Sequence, residues 1–191
     1  MLPEKKTEKY TYADYLRFPE GQEWEIIEGI PYAMSPAPTW QHQFVSGEIF
    51  NQFKNYLKGK KCMVFASPFD LRIPEADEDG ATVSNVVQPD ITIVCDRTKL
   101  SQTGYEGTPF LIVEVLSPST AKIDLKIKMH LYEKAGVKFY LIADVERKYI
   151  TVYELDTDNK YKIKETFFEG DKITIAAFEG FELDVSSVYD I

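Results

Sequence analysis

The chain has 191 residues, a length typical of one domain whose core is large enough to need no disulfide bonds. Hydrophobic residues make up 44% of it, which excludes a disordered chain, and no apolar run approaches the ~18–20 residues of a membrane span. Acidic residues outnumber basic ones by 31 to 22, and the resulting net charge of −9 argues against a protein that coats nucleic acid by general electrostatics. The first segment, MLPEKKTEKY, lacks the apolar stretch of a secretory signal, so we expect a cytoplasmic protein that does not contact membranes.

The first half of the chain predicts a polar tail followed by strands and one long helix. We expect residues 1–9 to form a flexible tail and residues 10–191 to form a single domain. A short helix is predicted over 12–16, and EWEIIEGIPYAMS predicts two strands that turn at Glu28-Gly29. The segment HQFVSGEIFNQFKNYLKG is typical of an amphipathic helix, because its apolar residues recur at i, i+4: Val45, Ile49, Phe53 and Leu57.

The second half predicts mainly strands around one further helix. CMVFASPFDLRI indicates one or two strands, VVQPDITIVCD another, and FLIVEVL a strand buried on both faces. The segment STAKIDLKIKMHLYEKAG predicts a helix that ends at Gly136. Four more strands are predicted as two antiparallel pairs: VKFYLIAD with YITVYEL, and YKIKETFF with DKITIAAF.

This order of elements predicts an α/β or α+β domain with a mixed sheet. Residues 110–116, 120–135 and 137–143 are expected to form one βαβ crossover. Cys62 and Cys95 each lie in an apolar run without C-x-x-C spacing, so both are predicted to be buried, reduced thiols. The two histidines are far apart and lack H-E-x-x-H spacing, which argues against a zinc site of His and Cys ligands.

Glu114 stands out because it interrupts the apolar strand FLIVEVL. A carboxylate buried there is costly unless it is paired or neutral. If this strand pairs with the one that follows Pro89, the side chains of Asp90 and Glu114 can reach the same point. Two carboxylates there would suit Mg²⁺, which usually binds one or two carboxylates and keeps water molecules in its remaining positions, where a phosphate substrate can bind. An ion pair between Glu114 and a lysine is the alternative, and the two residues alone leave both open.

The helix after Glu114 offers such a lysine. Asp124, Lys128 and Tyr132 recur every four residues and therefore share one helical face. Lys128 could point back at the carboxylates and stabilise charge on a phosphate. Equally, Asp124 and Lys128 could form an ordinary surface pair worth a few tenths of a kcal/mol.

A family resemblance bears on this choice. The order QPD, LIVEVLSPST, D-x-x-x-K-x-x-x-Y and AGV-x-x-Y resembles a large bacterial family classed as restriction endonucleases, within the PD-(D/E)XK nuclease superfamily. The similarity runs from about Tyr12, through EGIPYAMSPAP and the following HQ, to FELDVSSVY. It implies a restriction-endonuclease-like core, which is a central mixed sheet flanked by helices.

The resemblance also implies a mechanism and its residues. Asp90 matches the aspartate of the PD motif and Glu114 the acidic residue of (D/E)XK, so both are expected to be catalytic and, with the Val115 carbonyl, to bind Mg²⁺ or Mn²⁺. The lysine expected two positions after Glu114 is replaced by Leu116. In this family the lysine is thought to have moved to the next helix, which points to Lys128. The implied reaction is metal-dependent hydrolysis of DNA phosphodiester bonds.

Five further residues are accessory candidates. The resemblance includes Glu28 and His42 without assigning them roles, and related nucleases often carry an acidic residue on the first core helix, where Glu48 lies. Asp124 could support Lys128, and Tyr132 is expected to be packed with its hydroxyl group hydrogen-bonded.

Other functions remain open at this stage. The fold could serve a catalytically inactive regulatory or nucleic-acid-binding module, since a fold does not fix a function. A metal-dependent hydrolase of other phosphate esters is another alternative. A homodimer would suit an enzyme that cuts both DNA strands, although no residue in the sequence indicates one.

Overall fold

The computed structural model describes residues 9–34 and 37–191. Apart from Lys9, the tail expected over residues 1–9 lies outside the described residues, as do Ser35 and Pro36 of the EGIPYAMSPAP motif. No helix within the described ranges is long and apolar enough to cross a membrane.

Strands and helices follow one another in the first half of the chain much as the sequence predicts. The short helix, the hairpin turning at Glu28-Gly29 and the long amphipathic helix are all present. The elements up to Asp90 are α1 (Tyr12–Tyr15), β1 (Trp24–Ile27), β2 (Ile30–Ala33), α2 (Trp40–Leu57), β3 (Met63–Ala66), β4 (Leu71–Arg72) and β5 (Val86–Val87).

The second half contains the predicted βαβ crossover and the hairpin after it. A π-helical segment, Ile123–Lys128, leads directly into α3, and Gly136 ends that helix in the left-handed conformation at φ 81°. The elements are β6 (Ile91–Val94), β7 (Leu100–Ser101), β8 (Gly104–Glu106), β9 (Leu111–Leu116), α3 (Met129–Ala135), β10 (Phe139–Asp144), β11 (Tyr149–Leu155), β12 (Tyr161–Phe168), β13 (Lys172–Ile173), β14 (Leu183–Asp184) and α4 (Val185–Val188).

The described strands form two six-stranded sheets and one two-stranded pair. We call the sheet with the order β2-β1-β5-β4-β8-β7 the first sheet and that with the order β12-β11-β10-β9-β6-β3 the second sheet. Both are mixed: β9 and β10 run parallel in the second sheet, and β4 and β8 run parallel in the first. The architecture is therefore α+β with mixed sheets flanked by helices, as the sequence predicts.

The two faces of the second sheet bury different partners. Leu111, Val113 and Val115 face the side covered by α2, whose Val45, Ile49, Phe53 and Leu57 belong to the same core. Ile112 belongs instead to the core shared with α3 and the first sheet. Because strand side chains alternate between faces, Glu114 lies on the side of Ile112, between the two sheets.

The prediction of a single strand over VVQPDITIVCD is wrong. The chain leaves the first sheet after Val87 and enters the second at Ile91, so it contains two strands in different sheets. Pro89 lies between them, and its missing N–H group cannot continue a ladder.

The predicted pairing of YKIKETFF with DKITIAAF is also wrong. β12 pairs along its length with β11, and β13 pairs with β14. Ile173 and Ile175 are buried in the core that also holds Leu183 and Val185 of the C-terminal segment, which explains why this segment turns away from β12.

The prediction of two reduced thiols is wrong as well, since Cys62 and Cys95 form a disulfide bond. β3 and β6 are antiparallel neighbours with Met63 opposite Val94, so the next residue pair outward is Cys62 and Cys95. Pairing of the strands places the two Cα atoms 4.0 Å apart.

Candidate functional site

Asp90 and Glu114 are brought together by the pairing of β6 with β9. Ile91 lies opposite Val113 in this antiparallel register, so Asp90 lies opposite Glu114. The backbone N–H of Val115 donates to Asp90 Oδ2 at 2.8 Å, and that of Asp90 donates to Glu114 Oε2 at 3.3 Å. The two predicted carboxylates therefore lie side by side on one edge of a rigid strand pair.

Lys128 lies against this pair and is buried, with 5% of its surface exposed. Its Nζ atom is 3.0 Å from Glu114 Oε1 and 3.7 Å from Asp124 Oδ1. Asp124 is also buried, so the alternative of a surface pair between these two residues is excluded by their position. The four-residue spacing places both side chains on the inward face, although the segment is π-helical rather than α-helical.

Tyr132 lies one turn further along and supports Glu114 from behind. Its hydroxyl group donates to Glu114 Oε1 at 3.1 Å, and its ring packs edge-on against Tyr140. The side chain is fully buried, as expected from the sequence. Glu114 thus accepts hydrogen bonds from both an ammonium and a phenol on the same oxygen.

Glu25 on β1 completes the group and was missed by the sequence analysis. Its Oε1 atom is 2.8 Å from Lys128 Nζ, and it accepts a hydrogen bond from the backbone N–H of Gln88 at 2.8 Å. The available signal was an acidic residue inside a short strand that is otherwise apolar, WEII. Lys128 therefore links Glu25 of the first sheet to Glu114 of the second.

Gln88 connects this group to a second polar cluster. Its side-chain amide donates to Asp70 Oδ1 at 2.8 Å and to the Tyr15 hydroxyl at 3.1 Å. The Tyr15 hydroxyl in turn donates to Asp70 Oδ1 at 3.1 Å. Gln88 is thereby fixed at both its backbone and its side chain.

His42, in the first turn of α2, contacts the carboxylate of Asp90. Its Nε2 atom is 3.4 Å from Asp90 Oδ2, and its buried Nδ1 atom has no hydrogen-bond partner among the described residues. Burial lowers the pKa of His42, but the hydrogen bond to Asp90 and the charge of Asp90 outweigh this effect, and the net shift is upward. Asp90 therefore stabilises the protonated form of His42 relative to a free imidazole.

Burial and the charges of neighbouring groups together shift the pKa values of the inner residues. It raises the pKa of Glu114 well above its usual range, although the charge of Lys128 opposes the shift. It also raises the pKa of Asp124 to about 6, again against Lys128. Burial lowers the pKa of Lys128, but the charges of Glu114, Glu25 and Asp124 raise it by more than burial lowers it. The ammonium therefore remains charged at neutral pH.

These residues line a cavity of about 670 Å³. Asp90, Glu114, Val115, Asp124 and Lys128 all contribute to its wall, together with His42, Glu25 and Gln88. Asp90 is the more accessible of the two central carboxylates, with 21% of its side chain exposed against 4% for Glu114.

Two predicted accessory residues lie elsewhere. Glu28 occupies the turn between β1 and β2 at φ 53°, where its carboxylate is 3.9 Å from Lys134 Nζ. Glu48 is on α2 but is not among the residues that line the cavity. The structure does not bring either side chain to Asp90 and Glu114.

The donor atoms of this site suit a hard divalent cation. The described part of the chain contains no cluster of three or more His, Cys, Asp and Glu side chains that could hold a metal. Mg²⁺ does not require one, because it often uses one or two carboxylates and completes its shell with water and phosphate oxygens. Lys128 and Tyr132 both contact Glu114 Oε1, which leaves Glu114 Oε2, the acceptor of the Asp90 N–H group at 3.3 Å, and the Asp90 carboxylate as candidate metal ligands.

Comparisons with known proteins agree with this architecture. One relative, "Uncharacterized protein slr1290" of Synechocystis sp. (strain ATCC 27184 / PCC 6803 / Kazusa), is 28% identical over 158 residues, which cover 81% of this chain and 79% of the relative. A solved structure, described as "a putative nuclease belonging to DUF820 from Anabaena variabilis ATCC 29413", superposes with a TM-score of 0.73 at 17% identity. That alignment covers 94% of this chain and 97% of the other, and it shows a shared fold.

A family model matches residues 12–186, which is most of the chain and includes every residue of the cavity wall named above. Its description is "Putative restriction endonuclease". The chain therefore belongs to the Uma2 family.

Proposed function

We propose that this protein is a metal-dependent endonuclease that hydrolyses DNA phosphodiester bonds at the cavity holding Asp90 and Glu114. The observation that carries the proposal is the contact of three groups on one edge of β6 and β9. Two carboxylates lie side by side, and a buried ammonium is 3.0 Å from one of them. Membership of a family described as restriction endonucleases supports the choice of substrate.

In this proposal Asp90 and Glu114 hold Mg²⁺ or Mn²⁺, and the Val115 carbonyl is a third candidate ligand. A metal ion bound there would polarise the phosphate and lower the pKa of a coordinated water molecule. The hydrogen bond from the Val115 N–H group to Asp90 fixes one ligand, and those from Lys128 and Tyr132 fix the other. Pre-positioned ligands of this kind reduce the cost of reorganisation during the reaction.

Lys128 acts as a fixed positive charge rather than as a base. Its raised pKa keeps the ammonium protonated, so it cannot accept the proton of an attacking water molecule. It can donate a hydrogen bond to the nucleophile or offset charge that develops on the phosphate. Glu25 and Asp124 hold the ammonium in place, at 2.8 Å and 3.7 Å respectively.

The test compares plasmid nicking by the wild type and by Glu114→Gln in Mg²⁺, Mn²⁺ and EDTA, with Glu165→Gln on exposed β12 as a control. We expect metal-dependent nicking by the wild type and the control, and about a 100-fold or greater loss for Glu114→Gln, comparable to removal of one preorganised electrostatic group. Isothermal titration with Mn²⁺ should show weaker binding by Glu114→Gln alone. Equal nicking by all three proteins would refute the proposed site.

A nuclease-fold module without catalysis gives a different result. Such a protein would bind DNA with a steep dependence on salt and would not cleave it with any divalent metal. Turnover of mononucleotide esters without cleavage of DNA would instead indicate another phosphoesterase.

A further inference from the structure

The charge of the cavity raises the question of how a polynucleotide is held. Lys128 is the only lysine or arginine among the described residues that line the cavity, and three carboxylates already surround it; the one lining histidine, His42, lies beside Asp90. The wall also carries the acidic side chains of Glu23 and Asp90. The cavity therefore offers little attraction for the phosphates that flank the one being cleaved.

Positive charge is concentrated instead on the C-terminal half of α2 and the turn after it. Residues 49–69 contain no Asp or Glu, although the chain as a whole has 31 acidic residues among 191. The same stretch carries four lysines, and all four are exposed. We call this set the α2 lysine surface: Lys54, Lys58, Lys60 and Lys61.

The charges of this surface are available to a partner. Over residues 9–34 and 37–191, no carboxylate lies within ion-pair distance of these four lysines, whereas the exposed lysines on β12 and β13 are each paired: Lys162 with Asp156, Lys164 with Glu154 and Lys172 with Glu182. Lys61 has only a minor electrostatic effect on Asp96, whose pKa is lowered chiefly by hydrogen bonds from Thr98.

The surface is also ordered by its neighbours. Arg97 donates hydrogen bonds to the backbone carbonyls of Lys60 and Lys61 at 2.6 and 2.8 Å, which fixes the turn after α2. The Lys60 ammonium lies 3.4 Å from the centre of the Tyr56 ring. Part of the conformational entropy that the Lys60 side chain loses on binding a ligand is therefore already lost in the free protein.

The α2 lysine surface is continuous with the cavity. Phe50 lines the cavity, and the Lys54 ammonium lies over its ring, 5.9 Å from the centre. The helix extends about 12 Å from Phe50 to Lys58, at about 1.5 Å per residue. That length matches about three phosphates of one strand, at about 3.4 Å of axial rise each.

We propose that the α2 lysine surface binds the phosphodiester backbone of the polynucleotide strand where it leaves the cavity. This inference rests on the proposed nuclease function and extends it by assigning the contact that provides affinity. The net charge of −9 is then no obstacle, because the attraction is local.

The test is a variant in which all four lysines of the surface are replaced by glutamine. Its control is a variant with the same change in charge on exposed lysines in and next to β12 and β13: Lys160, Lys162, Lys164 and Lys172 to Gln. Binding of labelled single-stranded and duplex oligonucleotides is measured in EDTA by fluorescence anisotropy at 50–200 mM salt. Hydrolysis of bis(p-nitrophenyl) phosphate with Mn²⁺ is measured in parallel, since so small a diester reaches only the cavity.

We expect the α2 variant to bind oligonucleotide about tenfold or more weakly at 100 mM salt, and its salt slope to fall by about three, at roughly 0.7–0.9 for each lost phosphate contact. The control should stay within about twofold, and both variants should hydrolyse the small diester like the wild type. Equal weakening of both variants, or no binding by the wild type, would overturn the inference. If the α2 variant alone loses binding while the wild type neither hydrolyses the small diester nor nicks plasmid DNA, the surface is supported and the nuclease function is refuted. The strand type that responds more strongly identifies the preferred substrate.

Discussion

Replacing Lys128 by methionine should destabilise the protein strongly, because it leaves three buried carboxylates without their counter-charge. Glu25, Glu114 and Asp124 are each at most 4% exposed, and their oxygens are 2.8, 3.0 and 3.7 Å from Lys128 Nζ. Methionine fills a similar volume but offers no charge. Removing one partner of a buried ion pair costs about 3–5 kcal/mol, since the remaining charge is desolvated and unpaired.

For a chain of this length, that loss corresponds to a decrease in melting temperature of about 6–20 °C, at roughly 2–4 °C per kcal/mol. The assay is urea unfolding in EDTA at pH 7.5, followed by circular dichroism. The control is Lys172→Met, which breaks a surface ion pair of 2.7 Å with Glu182 and should change the free energy of unfolding by less than about 1 kcal/mol.

A loss for Lys128→Met no larger than that for Lys172→Met would refute the reasoning, because the three carboxylates would then be hydrated or neutral without Lys128. A Glu25→Gln background sharpens the comparison. With one fewer buried charge to compensate, Lys128→Met should cost at least about 1 kcal/mol less in that background, within the range of coupling energies between contacting residues.

Two further predictions concern the neighbours of Lys128. Tyr132→Phe removes the hydroxyl that donates to Glu114 at 3.1 Å but keeps the ring, so urea unfolding should show a loss of about 1.5–3 kcal/mol; no loss would mean that water replaces the bond. Burial raises the pKa of Asp124 to about 6 in the folded state, above its unfolded value, so the folded state binds its proton more tightly. In EDTA, the stability of the wild type relative to Asp124→Asn should therefore fall between about pH 4 and pH 6, by at most about 1.4 kcal/mol per pH unit, and level off at higher pH. A flat difference over this range would contradict the shift.

The parts of the site that follow from local sequence patterns were predictable. The apolar run around Glu114 identifies a buried strand, and alternation along that strand places Glu114 on one face with Ile112. The four-residue spacing of Asp124, Lys128 and Tyr132 correctly indicates one helical face. What the spacing alone could not decide is whether that face is buried, because the burial depends on the first sheet.

The remaining parts depend on contacts between distant segments. Glu25 meets Lys128 only because β1 belongs to a sheet that packs over the helix. The local pattern WEII marks an acidic residue in an apolar strand but does not identify its partner. The disulfide between Cys62 and Cys95 depends on the register of β3 against β6, which one sequence does not specify. The pairing of β13 with β14 likewise depends on the burial of Ile173 in the same core as Leu183.

The three residues that join the two sheets act as a spacer of fixed length. Val87 is the last residue of β5 and Ile91 the first of β6, and between them Gln88 bonds to Glu25 on one sheet while Asp90 bonds to Val115 on the other. A one-residue insertion or deletion within β6 would turn Asp90 to the opposite face, since strand side chains alternate. Relatives in which β6 is one residue longer or shorter should therefore have lost the carboxylate pair even where both acidic residues persist. The length of this segment therefore matters as much for the carboxylate pair as the presence of Asp90 and Glu114 in the sequence.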